Sequence, residues 1–170
     1  MTADHRSSEG EEGQETDSPS SVDLVVFVGL QASGKSTFYR ERFATHEHVS
    51  KDLFPNNKNR NRRQAQLIEA SLSAGSPVVV DNTNPAPEDR RAIVELGREH
   101  GARIVSYYFE SGVRLCIERN RRREGMARVP DVAIYATAKR LVAPSLSEGF
   151  DELFRVRITD NSFDVVPYAG

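Results

Sequence analysis

Eight residues, Gly29-Leu30-Gln31-Ala32-Ser33-Gly34-Lys35-Ser36, constrain this chain more than any others in it. They complete the pattern G-x-x-x-x-G-K-[ST] between an apolar run, Leu24-Val25-Val26-Phe27-Val28, and a stretch of helical character at 35–45. Strand, glycine-rich loop, helix is the order such a loop needs in order to work. Gly29 and Gly34 let the backbone curl, so that N–H groups around Ala32, Ser33 and Gly34 turn inward as an anion nest. The helix opening near Lys35 aims its positive end at the same point. The Lys35 ammonium would reach the β- and γ-phosphates of a nucleotide, Ser36 Oγ would hold Mg²⁺, and Thr37 follows for an α-phosphate contact. Chance gives the pattern in fewer than about one chain in a hundred. No Asn/Thr-Lys-x-Asp guanine signature accompanies it, and the chain has no room for the extra strands of a large motor ATPase. A small ATP- and Mg²⁺-dependent kinase is what remains.

The rest of the chain alternates short apolar runs with helical patterns. Strands are expected at 24–29, 47–51, 76–81, 103–109 and 154–158, and helices at 35–45, 59–74, from an Asn84 cap to His100, at 111–123 and at 131–142. Continuous apolar strands between helices predict an α/β fold, a five-stranded parallel sheet covered on both faces. Residues 1–22 are nearly all Ser, Thr, Gly, Glu and Asp. Such a segment cannot bury enough apolar surface to offset its ordering entropy, so a disordered acidic tail is expected there and one domain over 23–170.

Charge sharpens that division. Seven of the 25 acids and one of the 23 bases lie in residues 1–23, which leaves 18 acids against 22 bases in the remaining 147 residues, a net +4. A mildly basic body suits a polyanionic substrate. Nineteen of the bases are arginine, whose fork grips phosphate bidentately, although an arginine-rich genome would give the same bias. A single cysteine, Cys116, excludes a disulfide framework and an all-cysteine zinc site. With no leader-like N-terminus and no apolar run near the about 20 residues of a membrane span, a cytoplasmic setting without membrane contact is expected.

In a parallel sheet, ligands gather at the C-terminal strand ends. Past the second strand stands Asp52, placed either to take the proton of an acceptor hydroxyl or simply to close a turn. Past the third stands Asp81-Asn82-Thr83-Asn84. Asp81 would hold Mg²⁺ through water, and the three residues after it would bond the phosphate loop, contact substrate or, for Asn84, cap the next helix. Arg119-Asn120-Arg121-Arg122-Arg123 ends a helix ahead of a short polar connection. That reads as a lid delivering an arginine to the γ-phosphate, with Arg119 and Arg123 on one face. Lys58-Asn59-Arg60-Asn61-Arg62-Arg63 opens a helix against its own dipole, which suggests an expected anion or a solvated face.

Together these pieces resemble the kinase module of the polynucleotide 5'-kinase family over residues 24–158. Its marks are GLQASGKST at 29–37, Ser-Lys-Asp at 50–52, Asp-Asn-Thr-Asn-Pro at 81–85, the arginines at 119–123, Val-Pro at 129–130 and APSLSEGFD at 143–151. The resemblance implies a P-loop kinase fold with an arginine-rich lid and transfer of the ATP γ-phosphate to the 5'-hydroxyl of DNA or RNA. Asp52 would activate that hydroxyl, Arg123 beside Arg119 would contact the transferring phosphoryl, and Lys35 and Ser36 would serve the donor. Where some members carry an arginine to hold the acceptor 3'-phosphate, this chain has Pro55, and Arg60 or Arg63 would take its place. A phosphatase or ligase acting on the same ends would be a separate partner. A small-molecule kinase on the same scaffold, for a nucleoside, sugar or antibiotic hydroxyl, is the alternative.

Overall fold

The computed structural model describes residues 21–170. The tail expected at 1–22 falls outside the described residues except for its last two, and Val22 belongs to the fold: its side chain packs on the core and its carbonyl accepts from Arg103 N.

The order is β1 (Asp23–Gly29), α1 (Lys35–Arg42), β2 (Glu47–Val49), α2 (Arg60–Ser73), β3 (Val78–Val80), α3 (Pro87–Glu99), β4 (Arg103–Phe109), α4 (Val113–Arg121), α5 (Asp131–Arg140), β5 (Glu152–Thr159) and β6 (Ser162–Pro167). The sheet runs β2-β3-β1-β4-β5-β6, parallel throughout except for the antiparallel β5–β6 pair. The α/β P-loop fold is thus as expected, with a sixth strand added to the five.

That sixth strand comes from a hairpin. Thr159 pairs with Ser162 across a two-residue loop, and both loop residues, Asp160 and Asn161, have positive φ (21° and 67°). Asp and Asn tolerate that conformation because their short polar side chains bond locally, and a loop with both residues at positive φ matches the twist of the strands it joins.

β1 shows why both faces are covered. Alternate side chains point to opposite sides of a strand. Leu24, Val26 and Val28 enter a core with Ile68, Leu72, Ile93 and Val94 from α2 and α3. Val25 and Phe27 enter another with Phe38 of α1, Phe109 and Val156. The second core is mostly aromatic, Phe27 meeting Phe38, Phe43, Tyr107 and Phe109 at centroid distances of 5.1–6.1 Å. Each fully buried aromatic or branched side chain contributes about 1.5–3 kcal/mol, so β1, the central strand, anchors the loop that follows it. A third cluster, Leu30 with Cys116, Ile117 and Ile134, seats α4 and α5 against the start of that loop.

Candidate active site

The loop has the backbone that its sequence demands. Ala32 and Gly34 both take left-handed conformations, φ 60° and 94°, so successive N–H groups converge as in an anion nest. At Gly34 the constraint is double, since a Cβ there would also lie 2.9 Å from Ile158 Cδ1. A Cβ on Gly29 would stand 2.8 Å from that of Phe109, and the Gly29 N–H is held by the Thr83 carbonyl at 3.0 Å. Ser33 is buried beneath the loop, whereas Ser36 and Thr37 stand exposed at the start of α1.

Lys35 lies at the centre. Its Nζ folds back into the loop, donating to the carbonyls of Gly29 (3.0 Å) and Leu30 (2.5 Å) and to Ser33 Oγ (3.4 Å). Burial lowers its pKa to about 8; Asp81 and Asp52 pull the other way, and Arg123 adds to the lowering. The charges of Asp52, Asp81 and Arg123, from three separate parts of the chain, therefore all act on the Lys35 ammonium.

Asp81 follows β3 and is almost wholly buried. Its Oδ2 accepts from Ser36 Oγ at 2.8 Å and from His48 Nε2 at 2.9 Å. His48, on β2, stacks on Tyr39 with centroids 4.0 Å apart and an interplanar angle of 13°, and Tyr39 Oη is fixed by the His46 carbonyl. A hydroxyl and a carboxylate in contact beside an anion nest are the hard oxygen donors that suit Mg²⁺. Among the described residues no three His, Cys, Asp or Glu gather as a metal cage. A metal completed by phosphate oxygens and water is therefore the kind that fits.

The residues after Asp81 build rather than protrude. Asn82 Oδ1 accepts from Lys51 N (2.9 Å) while its amide donates to Gln64 of α2 (2.6 Å), so the turn bearing Asp52 is tied to both β3 and α2. Thr83 is half-buried and contributes its carbonyl to Gly29. Asn84, at φ 42°, buries its amide against the Phe27 carbonyl at 2.8 Å. It does not cap α3: that helix starts two residues after Pro85, with Ala86 at the cap and the Asp89 carboxylate accepting the Ala86 N–H. The extra loop residues allow fully buried Arg90 to bond the Asn84 and Val142 carbonyls and both oxygens of Glu148. β2 likewise ends at Val49, two residues early, because Ser50 caps a short 3-10 turn, Lys51–Leu53, that leaves Asp52 exposed.

The arginine segment sits at the end of α4. α4 ends at Arg121, two residues before the expected end, so Arg123 lies beyond the helix and does not share a helical face with Arg119; both nevertheless line a hollow of about 280 Å³ with Ala32, Gly34, Thr37 and Phe163. Arg119 Nη1 is buried without a partner among the described residues, while Arg123 Nη1 reaches only the Ala127 carbonyl, at 3.3 Å. An aromatic edge, two guanidinium groups with no carboxylate partner among the described residues and the mouth of the loop form a hollow fit for the nucleoside end of a nucleotide. Of the two basic residues expected near the acceptor, Arg60 lines a separate cleft with Lys51 and Lys58, and Arg63 lies exposed outside it. His48, Gln64 and the β5–β6 hairpin belong to this site without any motif announcing them.

The chain is 30% identical over 139 residues to a bifunctional polynucleotide phosphatase/kinase of Schizosaccharomyces pombe, 79% of this chain and 33% of that one. It spans about a third of the length of the curated relatives it matches. By fold it is similar to a chain of the Pnkp1/Rnl/Hen1 RNA repair complex (TM-score 0.62, 23% identity, 92% of this chain and 51% of that one). It is also similar to a gluconokinase from Sinorhizobium meliloti 1021 (TM-score 0.59, 17% identity, 81% and 83%). Residues 24–144 match the AAA domain family. With a complete phosphate loop on β1 and a serine–aspartate pair beside it, the chain belongs to that family of P-loop proteins and carries a kinase-like domain related to the polynucleotide phosphatase/kinases.

Proposed function

We propose that this domain moves the γ-phosphate of ATP onto the 5'-hydroxyl end of DNA or RNA. The observation that carries the reading is the Ser36–Asp81 contact at 2.8 Å beside a complete phosphate loop, with Arg119 and Arg123 lining the hollow at the mouth of that loop and the charges of Asp52 and Arg123 both felt at Lys35.

In use, Lys35 would leave the Gly29 and Leu30 carbonyls for the β- and γ-phosphate oxygens, where its charge is better compensated. Asp52, exposed on its turn, orients the 5'-hydroxyl and accepts its proton as the new O5'–phosphorus bond forms and the bond from γ-phosphorus to the bridging oxygen breaks. Arg123 swings from Ala127 to the equatorial oxygens of the transferring group, with Arg119 beside it over the nucleoside. Ser36 and Asp81 would hold Mg²⁺, which would supply charge neutralisation for the phosphates. Gln64, through Asn82, keeps the Asp52 turn in register with the loop. A phosphatase or ligase that completes repair of the same ends is the class of partner this activity calls for.

Pro55 favours a second reading, a kinase for a small hydroxyl compound, because it removes one expected acceptor contact. Labelled γ-phosphate from ATP, offered to a panel of 5'-hydroxyl oligonucleotide, 5'-phosphorylated oligonucleotide, nucleoside and gluconate, separates the two. Transfer to the 5'-hydroxyl oligonucleotide alone, or far faster than to the rest, is expected. Transfer confined to the small acceptors overturns the proposal.

A further inference from the structure

In the last turn of α4, between Arg119 and Arg121, stands an asparagine that is fully buried. The side chain of Asn120 pairs with a single backbone unit nine residues further on: Nδ2 donates to the Val129 carbonyl at 2.6 Å, and Oδ1 accepts from Val129 N at 3.0 Å. The Asn120 carbonyl accepts from Arg123 N at 3.0 Å. Both ends of the segment 121–128 are therefore held at one residue. A carboxamide carries a donor and an acceptor side by side, as the N–H and C=O of one backbone residue require. A carboxylate has acceptors only, and an aliphatic side chain has neither.

Little else holds that segment. Among the described residues, none of 121–128 joins a buried apolar cluster. All of them are exposed except Arg123, which is half-buried and turns inward to the hollow at the mouth of the phosphate loop. The Arg121–Asp131 ion pair lies in solvent and contributes little. The clasp is in turn fixed relative to the loop. Val129 packs on the cluster of Leu30, Cys116, Ile117 and Ile134, and Gln31 of the loop donates to Thr137 of α5 at 3.0 Å. Leu30 and Gln31 thus seat α4 and α5, Asn120 ties the two helices together, and the single inward residue of the tied segment is the guanidinium that the mechanism assigns to the transferring phosphoryl.

We propose that Asn120 is a positioning residue for phosphoryl transfer, holding 121–128 as a closed loop whose backbone aims Arg123 at the phosphate loop. The inference rests on the kinase reading above, whichever acceptor is used, and deepens it. Closing the segment removes backbone freedom that Arg123 would otherwise lose on meeting the phosphates. Only side-chain torsions are left to adjust as the guanidinium swings from the Ala127 carbonyl. With the clasp open the same guanidinium is present but misplaced, and a displacement of about 1 Å costs about 10² in rate.

A double-mutant cycle tests this. kcat for transfer from ATP is measured for the unaltered protein, Asn120→Ala, Arg123→Ala and the double variant. Calorimetry gives the ATP affinity of each, and amide hydrogen exchange over 121–130 reports whether the clasp has opened. Asn120→Ala should exchange faster there, lose about 10–100-fold in kcat and keep its ATP affinity within about twofold. The double variant should be no slower than Arg123→Ala alone, because a guanidinium that has been removed cannot be misplaced. Losses that multiply would mean that Asn120 acts apart from Arg123, and an unchanged kcat with the clasp open would mean that Arg123 needs no aiming. Either result overturns the proposal and leaves the kinase reading standing. If Asn120→Ala does not fold, Asn120→Leu fills the same space without either bond and takes its place in the cycle; if neither folds, Asn120 serves stability alone and the proposal falls. Absence of transfer to every acceptor by the unaltered protein overturns the kinase reading itself, and the positioning role with it.

Discussion

Raising the pH through 8 should loosen nucleotides from this protein, and the reason is one lysine. Lys35 is buried in the loop with its pKa at about 8, against an ordinary value of 10.5. A seated polyphosphate surrounds Nζ with negative oxygens and favours its charged form, so the pKa in the complex is higher than in the free protein. Below 8 the free lysine already carries its proton, and affinity is flat. Above 8 binding must first recover that proton, and affinity declines toward tenfold per pH unit until the pKa of the complex is passed. Between pH 7 and 9 the loss is about tenfold, or about 1.4 kcal/mol, and proton uptake on binding rises from about 0.1 to about 0.9 per nucleotide. The Cys116 thiol, which also interacts with Lys35, is pushed up from 9 by burial and titrates later. Isothermal titration calorimetry with ADP and with ATP, in buffers of differing ionisation enthalpy, reads both quantities. Lys35→Arg stays cationic over the whole range and should show neither effect, whatever its affinity. A flat profile with no proton uptake for the unaltered protein would refute the placement of Lys35 under the phosphates.

Three further outcomes follow from single contacts. Arg123→Ala should lower kcat by about 10³ or more while ATP affinity measured by calorimetry changes little, because in the proposed mechanism that guanidinium meets charge that develops only during transfer. Arg90→Met should leave the Glu148 carboxylate and the Asn84 and Val142 carbonyls without their buried partner. A loss of about 3–5 kcal/mol, seen as a melting temperature lower by about 10 °C, is expected, and an unchanged temperature would mean that Arg90 is not the keystone of the 142–148 segment. His48→Phe keeps the stack on Tyr39 but removes the donor to Asp81 Oδ2. It should raise the Mg²⁺ concentration for half-maximal nucleotide binding about tenfold, whereas His48→Gln, which retains a donor, should not.

How far the sequence carries toward this picture depends on how local each signal is. The loop and the strands around it were legible because their signals are contiguous: one G-x-x-x-x-G-K-S, and apolar runs too continuous for a half-exposed sheet. The sixth strand lies outside the five expected because Ser162–Pro167 has no fully buried residue, so its apolar pattern is weak despite the Asp160-Asn161 hairpin dipeptide before it. Asn84-Pro85 imitated a helix start because asparagine before proline is what caps look like, while buried Arg90, six residues on, drew the Asn84 carbonyl away and delayed α3 to Pro87. His48 and Gln64 carried no local mark at all. Each gains its role from a partner 33 or 18 residues away, and only the β2–β3–β1 strand order brings those partners within reach.

Single-turnover transfer of labelled γ-phosphate to a 5'-hydroxyl oligonucleotide, with Asp52→Asn set against the unaltered protein and ATP affinity measured on both, tests the central claim most directly. The substitution keeps the shape of the side chain and removes only its capacity to take a proton. Transfer slowed by about 10²–10⁴ at nearly unchanged ATP affinity is the expected result. Transfer at the unaltered rate would contradict the account, because the carboxylate that acts on Lys35 would then have no part in moving the phosphoryl group.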